Sequence, residues 1–526
     1  MTARVKYTLL YLTAIVLTAL LFCHQIDISD VFDVDGISYL KAAGGYLDSG
    51  VKGALSAEGP ASWPFYSVVI AMVAKTTQLS FLHAAHLIDL IFEIGVVLFF
   101  ISLIRYLGAD FFIQCLALVV ILVWHSYTKY WPNIFREHGF WFFLLASVFF
   151  LLEYSKSFSW RMAFFWLLSM GCAFLFRLEA IMYFVLCPLA ILFLSNYSLK
   201  QRFKYYLKLY ALPILAIVIA SAVVFYYVEN LPEARFDQIQ KYFFHYGHNT
   251  WHHFHGISQN FRDKVLQYPD DTAIYGLIGG LLVVFFAEIF KIIGVLNLIA
   301  LGYLLIERFN GFALKRHPVF NAYLMTAFLI GLLFFAQHFY VSRRYIIPVG
   351  LFLAFWVPFA IEKAIRLWRT QSPRTFKTKL VVGLFIIALI YEATATLIHF
   401  GHSKHYLKRA GLYLKDNTKP SETVYTNSSR VMYYASDAPS YSRGAIMSKS
   451  DRYDFEQDPR SFLKNKAWRC YDFLALNVEA ETSTVIKGLS QHPNWVTEIY
   501  STSGHKNDKV IIYRIQQASD CYDSSH

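Results

Sequence analysis

Apolar runs of about 18 or more residues recur along the chain. As an α-helix, a run of this length crosses the roughly 30 Å hydrocarbon core of a bilayer. Of the 526 residues, 56% are hydrophobic and only 16% are charged, whereas a soluble domain carries about 25% charged residues. The sequence therefore predicts an all-α polytopic membrane domain. About eleven spans are expected, at residues 7–24, 84–104, 110–127, 139–154, 161–176, 179–196, 209–228, 275–305, 319–340, 345–362 and 380–399.

Basic residues lie in alternate loops, which predicts the orientation of the chain. Since Lys and Arg mark cytoplasmic loops, the N-terminus is expected in the cytoplasm. The net charge of +12 belongs to these short loops and indicates no nucleic-acid partner. The outer segments are then 25–83, 128–138, 229–274, 341–344 and the tail after residue 400.

One predicted span is ambiguous. Residues 275–305 are long for a single crossing, and Glu288 and Lys291 lie three apart on one helical face, where they are expected to pair. If this region crosses twice, the C-terminal tail is cytoplasmic instead.

Within the first outer loop, Trp63–Ala74 is apolar but short, with Pro64 suited to a first helical turn. This pattern favours a helix that lies in the membrane interface.

The chain is predicted to divide into a membrane domain, 1–400, and a small extracytoplasmic α/β domain, 401–526. Polar residues increase after residue 400, and helical periodicity appears over Ser483–Gln491. The strands are expected at Thr423–Tyr425, Val431–Tyr434, Phe473–Leu476 and Val510–Ile515. The six cysteines form no CxxC pair, so no zinc or redox motif is indicated. Cys470 and Cys521 both lie in the tail, and a disulfide between them is a hypothesis.

Candidate chemistry lies at the predicted outer ends of the spans. Asp33 and Asp35 follow the first span, and such carboxylates either accept a hydroxyl proton or hold a cation; the alternative is a solvated acidic loop. Arginines near the same face match phosphate oxygens. The alternative for each arginine is interfacial anchoring or a structural ion pair, such as Arg177 with Glu179. The further charged candidates at these ends are Arg136, Glu137, Arg177, Glu179, Arg343 and Arg344.

The order of these motifs resembles the GT-C membrane glycosyltransferases, which include protein O-mannosyltransferases and lipid A aminoarabinose transferases. The resemblance covers about residues 1–360 and the form of the tail. It rests on Asp35 with Tyr39 four residues later, Leu40–Ala43, Gly50, Trp63–Tyr66, Arg136–Glu137 and Arg344–Pro348. Many members have a second acid directly after the catalytic Asp. In this sequence Gly36 follows Asp35, and the second acid, Asp33, lies two residues before it. Asp33 or Asp35 is therefore the base, and the spacing to Tyr39 favours Asp35.

The resemblance implies transfer of a sugar from a polyprenyl-phosphate donor to a hydroxyl acceptor (a lipid, a glycan or a protein) at the outer face, with inversion. Asp35 removes the hydroxyl proton, and Glu137 orients the acceptor or shares a divalent cation. Phosphate contacts are expected from Arg343 or Arg344, together with Lys41 or Arg136. Further substrate contacts are expected from Tyr39, Arg177 and Tyr345. This mechanism requires Asp35 to share a water-facing cavity with Arg343 and Arg344.

The loop Phe243–His255 is rich in histidine. His248 and His252 lie four apart and have metal-ligand spacing on a helix. We favour an aromatic interfacial loop, and the resemblance implies contacts of these two histidines with the donor.

Other classes stay open at this point. A transporter or flippase commonly shows paired repeats and broken mid-membrane spans, and no repeat is evident. A lipid-pyrophosphate-dependent ligase or polymerase differs mainly in its donor, and a non-catalytic assembly protein is a further alternative. A bacterial inner membrane is the expected location.

Overall fold

The computed structural model describes most of residues 2–516. The residues outside the description are 1, 30, 32, 56–60, 62, 228–245, 266–272, 308–316, 341, 372, 399–402, 420, 437–443, 449–450, 453–454, 457–458, 465–466, 479–482, 492–493, 505–507 and 517–526. Side chains are also outside it at residues 3, 215–227, 246–253, 273, 459, 464, 467, 483 and 484.

The chain divides into two compact units. The helical unit comprises residues 1–22, 90–131 and 136–397, and the sheet unit comprises residues 23–89, 132–135 and 398–526. The predicted domain boundaries at 1–400 and 401–526 stay a prediction.

Long apolar helices dominate the described chain. Seven of them are long and apolar enough to cross a membrane, and shorter apolar helices accompany them. The helices are α1 (Ala3–Ile28), α2 (Val34–Leu55), α3 (Phe65–Thr77), α4 (Phe81–Tyr106), α5 (Phe111–Val123), α6 (His125–Thr128), α7 (Glu137–Ser157), α8 (Trp160–Phe176), α9 (Ala180–Leu186), α10 (Leu199–Tyr227), α11 (Tyr246–Lys264), α12 (Ala273–Ile293), α13 (Val295–Ile306), α14 (Pro318–His338), α15 (Ile347–Ala354), α16 (Val357–Thr370), α17 (Phe376–Leu397), α18 (His405–Asn417), α19 (Ser429–Ala435), α20 (Pro459–Lys464) and α21 (Ser483–Ser490).

The predicted span at 275–305 is not one continuous helix, because α12 ends at Ile293 and the 12-residue α13 begins at Val295; the number of crossings in this region stays a prediction. Gly294 between them has φ +81°, a left-handed value that favours glycine. The buried Glu392 carboxylate on α17 accepts hydrogen bonds from the Val295 N–H at 2.7 Å and the His125 N–H at 3.2 Å. One carboxylate therefore caps the first residues of both α13 and α6, which satisfies donors that a helix start leaves unpaired. A Cβ at Gly294 would lie 2.7 Å from Glu392 Oε1.

Two predicted outer loops contain helices. Segment 25–83 includes α2, and segment 229–274 includes α11. The expected short helix at Trp63–Ala74 is confirmed as α3, which begins directly after Pro64 and is 13 residues long.

The sheet unit contains an α/β fold, which confirms the predicted fold class. Five described strands have the order β2 (Gly444–Ile446), β1 (Val424–Thr426), β3 (Phe473–Val478), β5 (Lys509–Ile515) and β4 (Val496–Ser503). The pairs β2–β1 and β1–β3 are parallel, and the pairs β3–β5 and β5–β4 are antiparallel. Leu474 and Leu476 pack into one core cluster and Phe473 and Ala475 into another, so both faces of β3 are buried.

The strand predicted at Val431–Tyr434 is wrong, because these residues belong to α19. The Ser428 hydroxyl accepts a hydrogen bond from the Val431 N–H at 3.4 Å and so caps the helix. Val431, Met432 and Ala435 are then buried in the same cluster as α18. The cap and this packing outweigh the β-propensity of the run.

Cys470 is disulfide-bonded. The other half of the predicted pair, Cys521, lies outside the described residues, so the pairing with Cys521 stays a hypothesis.

Candidate functional site

Asp33 and Asp35 lie at the start of α2 in the sheet unit. Asp33 Oδ1 accepts a hydrogen bond from the Asp35 N–H at 3.1 Å, as an N-cap residue does. The other Asp33 oxygen lies 3.9 Å from Arg430 Nη2, and the Asp33 N–H donates to Asn133 Oδ1 at 3.1 Å. Asp33 therefore has a structural role at the helix start, whereas Asp35 occupies the first helical turn, where the helix dipole favours an anion.

Tyr39 and Lys41 follow on the same helix. Tyr39 is buried, and its ring centroid lies 5.2 Å from that of Tyr66 in an edge-on arrangement. Tyr66 in turn donates its hydroxyl hydrogen to the buried Asp89 carboxylate, 2.8 Å and 2.7 Å from the two oxygens. Tyr39 thus positions α2, and Lys41 is exposed nearly two turns after Asp35.

The helical unit holds a dense charged group that we call the Arg177 cluster, comprising Glu137, Arg177, Glu179, Arg344 and Tyr345. Arg177 Nη1 lies 2.6 Å from Glu137 Oε1, and Arg177 Nε lies 3.1 Å from Glu179 Oε2. Arg177 Nη2 also donates to Glu179 Oε1. Arg344 Nε lies 3.5 Å from Glu137 Oε1, and Arg177 lies 4.2 Å above the centre of the Tyr345 ring, within cation–π range. The predicted pairing of Arg177 with Glu179 is present, and Glu137 joins it.

Local structure explains why these groups meet. α8 ends at Phe176, Arg177 is extended (φ −146°, ψ 130°), and α9 begins at Ala180. Glu137 is the first residue of α7, and a Cβ at Gly139 would lie 2.5 Å from the Phe176 ring, so glycine permits the close approach of α7 to α8. The short turn Arg343–Tyr345 contributes the side chains of Arg344 and Tyr345 to the cluster.

Opposite charges hold each other ionised in this region. Burial disfavours the charged form of Arg177, but Glu179 and Glu137 outweigh burial and raise its pKa well above the ordinary value. Arg136 also interacts electrostatically with both Glu137 and Glu179. Burial likewise disfavours the charged form of Glu137, but the guanidinium groups of Arg177, Arg344 and Arg136 outweigh burial and hold its pKa below the ordinary value.

The cluster surrounds a cavity of about 20 Å³, which admits about one water molecule. Glu137 Oε2 and Trp141 Nε1 line this region, and both are buried without a hydrogen-bond partner among the described residues. The interior of the cluster is therefore closed to a phosphate, while Arg344 keeps 15% of its side chain exposed.

A second ion network includes the other arginine of the turn. Arg343 Nε lies 2.7 Å from Glu288 Oε2, and Lys291 Nζ lies 2.5 Å from Glu288 Oε1. The predicted pairing of Glu288 with Lys291 is present, with Arg343 as a third member. Nearby, burial and then the Arg343 charge lower the pKa of Lys129 to about 8. Burial raises the pKa of Tyr130 to about 12, although Arg343 and Arg344 oppose that shift.

Sequence reasoning missed a fully buried group that we call the Glu93 network, comprising Glu93, Tyr127 and His138. Tyr127 donates to Glu93 Oε2, and His138 Nδ1 lies 2.5 Å from Glu93 Oε1. The available signal was a pair of acids, Asp89 and Glu93, four apart in the apolar span 84–104, where unpaired carboxylates are costly.

The remaining predicted site residues are His248 and His252, two of the histidines in residues 243–255. The backbone is helical from Tyr246 to Lys264, but the side chains of His248 and His252 lie outside the described residues. Within the described part of the chain, no group of three or more His, Cys, Asp or Glu side chains is arranged to hold a metal ion. The shared cavity predicted for Asp35, Arg343 and Arg344 stays a prediction.

Solved structures with the same architecture are found, although no family model and no curated protein matches the sequence. ArnT from Cupriavidus metallidurans in the apo state matches with a TM-score of 0.53 and 12% identity over 97% of this chain and 98% of that one. The undecaprenyl-phosphate complex of the same protein gives a TM-score of 0.54 and 12% identity over 99% of each chain. The oligosaccharyltransferase AglB from Archaeoglobus fulgidus, in complex with an inhibitory peptide and a dolichol-phosphate, gives a TM-score of 0.50. The identity is 12%, over 98% of this chain and 75% of that one.

These likenesses define the class of fold. ArnT and AglB are GT-C membrane glycosyltransferases, so the chain has the GT-C fold that the resemblance implied. With seven candidate crossing helices among the residues that the structure describes, it is an integral, multi-pass membrane protein.

Proposed function

We propose that the protein is an inverting glycosyltransferase that moves a hexosyl or pentosyl group from a polyprenyl-phosphate donor to a hydroxyl acceptor. The observation that carries the proposal is the Arg177 cluster, in which the guanidinium groups of Arg177 and Arg344 meet at Glu137, in a chain with the GT-C fold. Guanidinium groups match phosphate oxygens in charge and geometry. Among the similar structures, ArnT is bound to undecaprenyl phosphate and AglB is in complex with a dolichol-phosphate.

The donor phosphate is proposed to bind Arg344 and Arg343. Arg177 is saturated by two carboxylates and buried, whereas Arg343 and Arg344 keep 40% and 15% of their side chains exposed. The carboxylates of Glu137 and Glu288 hold these two guanidinium groups in place. Charge develops on the leaving phosphate during transfer, so fixed positive groups at that position stabilise the transition state.

Asp35 is proposed as the general base. Asp33 is engaged as the cap of α2 and beside Arg430, which favours Asp35 for proton transfer. The acceptor oxygen loses its proton to Asp35 and forms a bond to the anomeric carbon, while the bond from that carbon to the phosphate oxygen breaks. The polyprenyl phosphate leaves with the bonding pair, and a single displacement inverts the configuration.

Glu137 is proposed to orient Arg344. It is also proposed either to orient the acceptor or to share a divalent cation. The reaction is assigned to the outer face of a bacterial inner membrane, with the N-terminus in the cytoplasm and the α/β domain outside. Polyprenyl-phosphate sugar, membrane lipids and a lipid, glycan or protein acceptor are the proposed partners.

Donor turnover in membranes tests the proposal. Membranes with the wild-type chain should release polyprenyl phosphate from a radiolabelled polyprenyl-monophosphate sugar but not from the matching pyrophosphate. Asp35→Asn should abolish release, whereas Asp48→Asn, an exposed acid of the same helix, should not. Full activity of Asp35→Asn would exclude Asp35 as the base.

A further inference from the structure

The connection between α16 and α17 is short and strongly basic. The segments Ile347–Thr370 and Phe376–Leu397 are both long and apolar enough to cross a membrane. The link between them reaches at most about 20 Å when extended, less than the roughly 30 Å hydrocarbon core, so both helices end at the same membrane surface. We call residues 357–380 the basic hairpin, which has one acidic residue, Glu362, and six basic ones: Lys363, Arg366, Arg369, Arg374, Lys377 and Lys379.

Three of the six cations are engaged by carboxylates. Lys363 Nζ and Lys377 Nζ lie 3.2 Å and 2.8 Å from the two carboxylate oxygens of Glu307, the residue after α13. Arg366 Nε lies 3.6 Å from Glu362 Oε1, one turn earlier on the same helix. These pairs account for both carboxylates that contact the basic hairpin in the described part of the chain.

The other three cations are exposed and form no ion pair with a described residue. They are Arg369, Arg374 and Lys379. The segment 308–316, which follows Glu307 and lies outside the described residues, contains no acidic residue. Among the described residues, the basic hairpin therefore presents positive charge that no carboxylate neutralises.

Trp368 orients one of these cations. The Arg374 guanidinium carbon lies 4.2 Å from the centre of the Trp368 ring, and Arg374 Nε donates a hydrogen bond to the Trp368 backbone oxygen at 3.4 Å. A guanidinium group stacked on an aromatic face keeps donors along its edge, and these match the oxygens of a phosphate. Arg374 is therefore positioned before any ligand binds.

Apolar side chains beside the cations indicate their depth in the membrane. Phe376 is 80% exposed and Leu380 is 50% exposed, and both lie at the start of the crossing helix α17. Lys379 lies about 4.5 Å beyond Phe376 along the helix axis, and the headgroup layer on each side of a bilayer is about 5–7 Å thick. The cations of the basic hairpin are therefore expected at the level of the lipid phosphates.

An anionic phospholipid matches both features of this surface. Its phosphate supplies negative charge to the three cations, and its acyl chains extend along Phe376 and Leu380. A zwitterionic phospholipid carries its own cation beside the phosphate and gains less from the same contacts. A second copy of the chain would bring the same positive charge to the surface, and like charges repel.

We propose that the basic hairpin binds an anionic phospholipid, with its phosphate on Arg369 and Arg374 and with Lys379 beside it. The predicted orientation places this site on the cytoplasmic side, where anionic lipids give the membrane surface a negative potential. The site shares no residue with the Arg177 cluster, so it goes beyond the proposed transfer reaction and is tested separately from it.

Lipid binding is measured on the purified full-length chain after delipidation in detergent. The probes are dioleoyl-phosphatidylglycerol and dioleoyl-phosphatidylcholine, which have the same acyl chains and differ in net charge. Native mass spectrometry counts the bound lipid. The wild type should bind phosphatidylglycerol about tenfold more tightly than phosphatidylcholine, because only the former is a net anion.

A charge-matched pair of variants locates the binding. In Arg369→Gln/Arg374→Gln the preference for phosphatidylglycerol should disappear. Lys52→Gln/Lys487→Gln has the same charge change at exposed positions of the sheet unit and should match the wild type. Equal binding of the two lipids by the wild type, or an unchanged preference in Arg369→Gln/Arg374→Gln, would overturn the site.

The proposed donor site is a second place for a lipid phosphate, and Arg344→Gln separates the two. This variant should keep the wild-type preference for phosphatidylglycerol. If Arg344→Gln loses the preference while Arg369→Gln/Arg374→Gln keeps it, the lipid is bound at the donor site and the basic hairpin is excluded.

Thermal unfolding gives an independent readout. A lipid that binds only the folded chain raises the Tm, so phosphatidylglycerol should raise the Tm of the wild type more than phosphatidylcholine does. Both arginines are exposed, and neither forms an ion pair with a described residue. Arg369→Gln/Arg374→Gln should therefore unfold at the wild-type Tm in phosphatidylcholine and gain nothing further from phosphatidylglycerol. An equal gain in variant and wild type would contradict binding at the basic hairpin.

Discussion

Two buried carboxylates in the helical unit have opposite surroundings. Glu137 is 2% exposed and Glu93 is 0% exposed. Glu137 meets the guanidinium groups of Arg177 and Arg344, whereas Glu93 meets the hydroxyl group of Tyr127 and the imidazole of His138. Because Glu137 and His138 are adjacent on α7, both groups hold the same helix start.

The contrast indicates a division of labour. A hydroxyl and an imidazole satisfy a carboxylate with little net charge nearby, which suits a positioning role. Two guanidinium groups meet at Glu137, and a cluster of positive groups suits anion binding. Burial alone therefore identifies neither group as functional, and the identity of the partners separates them.

The largest expected effect follows removal of Arg177. Arg177→Met leaves the buried Glu137 and the partly buried Glu179 without their shared guanidinium, and we expect a loss of about 3–5 kcal/mol in the free energy of unfolding together with loss of donor turnover. Thermal unfolding in detergent measures the first, and the membrane assay measures the second. The control for turnover is Arg202→Met. Arg202 donates hydrogen bonds to the backbone oxygens of Tyr197 and Leu192 and contacts no carboxylate of the Arg177 cluster. Wild-type stability of Arg177→Met would show that the cluster is not a stabilising unit.

A matched pair of substitutions tests the difference between Glu137 and Glu93 directly. In Glu137→Gln the amide places donor hydrogens against two guanidinium groups, and we expect donor turnover to fall about thirtyfold, equivalent to about 2 kcal/mol in activation free energy. In Glu93→Gln the amide still accepts from Tyr127 and donates to a neutral His138, so turnover should stay within about threefold. Equal losses in the two variants contradict the division of labour.

The smallest effect concerns pH. Burial and Arg343 lower the pKa of Lys129 from 10.5 to about 8, so between these values the unfolded chain binds more protons than the folded one. The free energy of unfolding should then rise with pH across this window, by an amount on the order of 1–3 kcal/mol. Unfolding followed at pH 7–10.5 should lose this rise in Lys129→Met and keep it in Lys41→Met. A rise that persists in Lys129→Met assigns it to another group.

Local patterns predicted much of the fold. Run length placed the helices, and the pairings of Glu288 with Lys291 and Arg177 with Glu179 followed from short spacing. The break at Gly294 depends on Glu392, which lies about a hundred residues later in the chain. No local pattern contains that contact, so the two helices were predicted as one span.

The candidate site shows the same limit. Arg136, Glu137, Arg177, Arg343 and Arg344 were predicted individually from their places at span ends. The contact of Arg177 with Glu137 joins residues 40 apart and depends on how closely α7 approaches α8 at Gly139. The structure also distinguishes the roles of Asp33 and Asp35. The start of α2 at Val34 makes Asp33 the residue that caps the helix, and the sequence alone does not show where the helix begins.

Titration of the purified protein in nanodiscs with undecaprenyl phosphate, without sugar, tests the central claim most directly. Native mass spectrometry counts the bound lipid for the wild type, Arg344→Gln and Lys363→Gln, a cation paired instead with Glu307. We predict that Arg344→Gln binds at least about tenfold more weakly than the wild type and that Lys363→Gln is unchanged. Wild-type affinity in Arg344→Gln would contradict the assignment of the phosphate site.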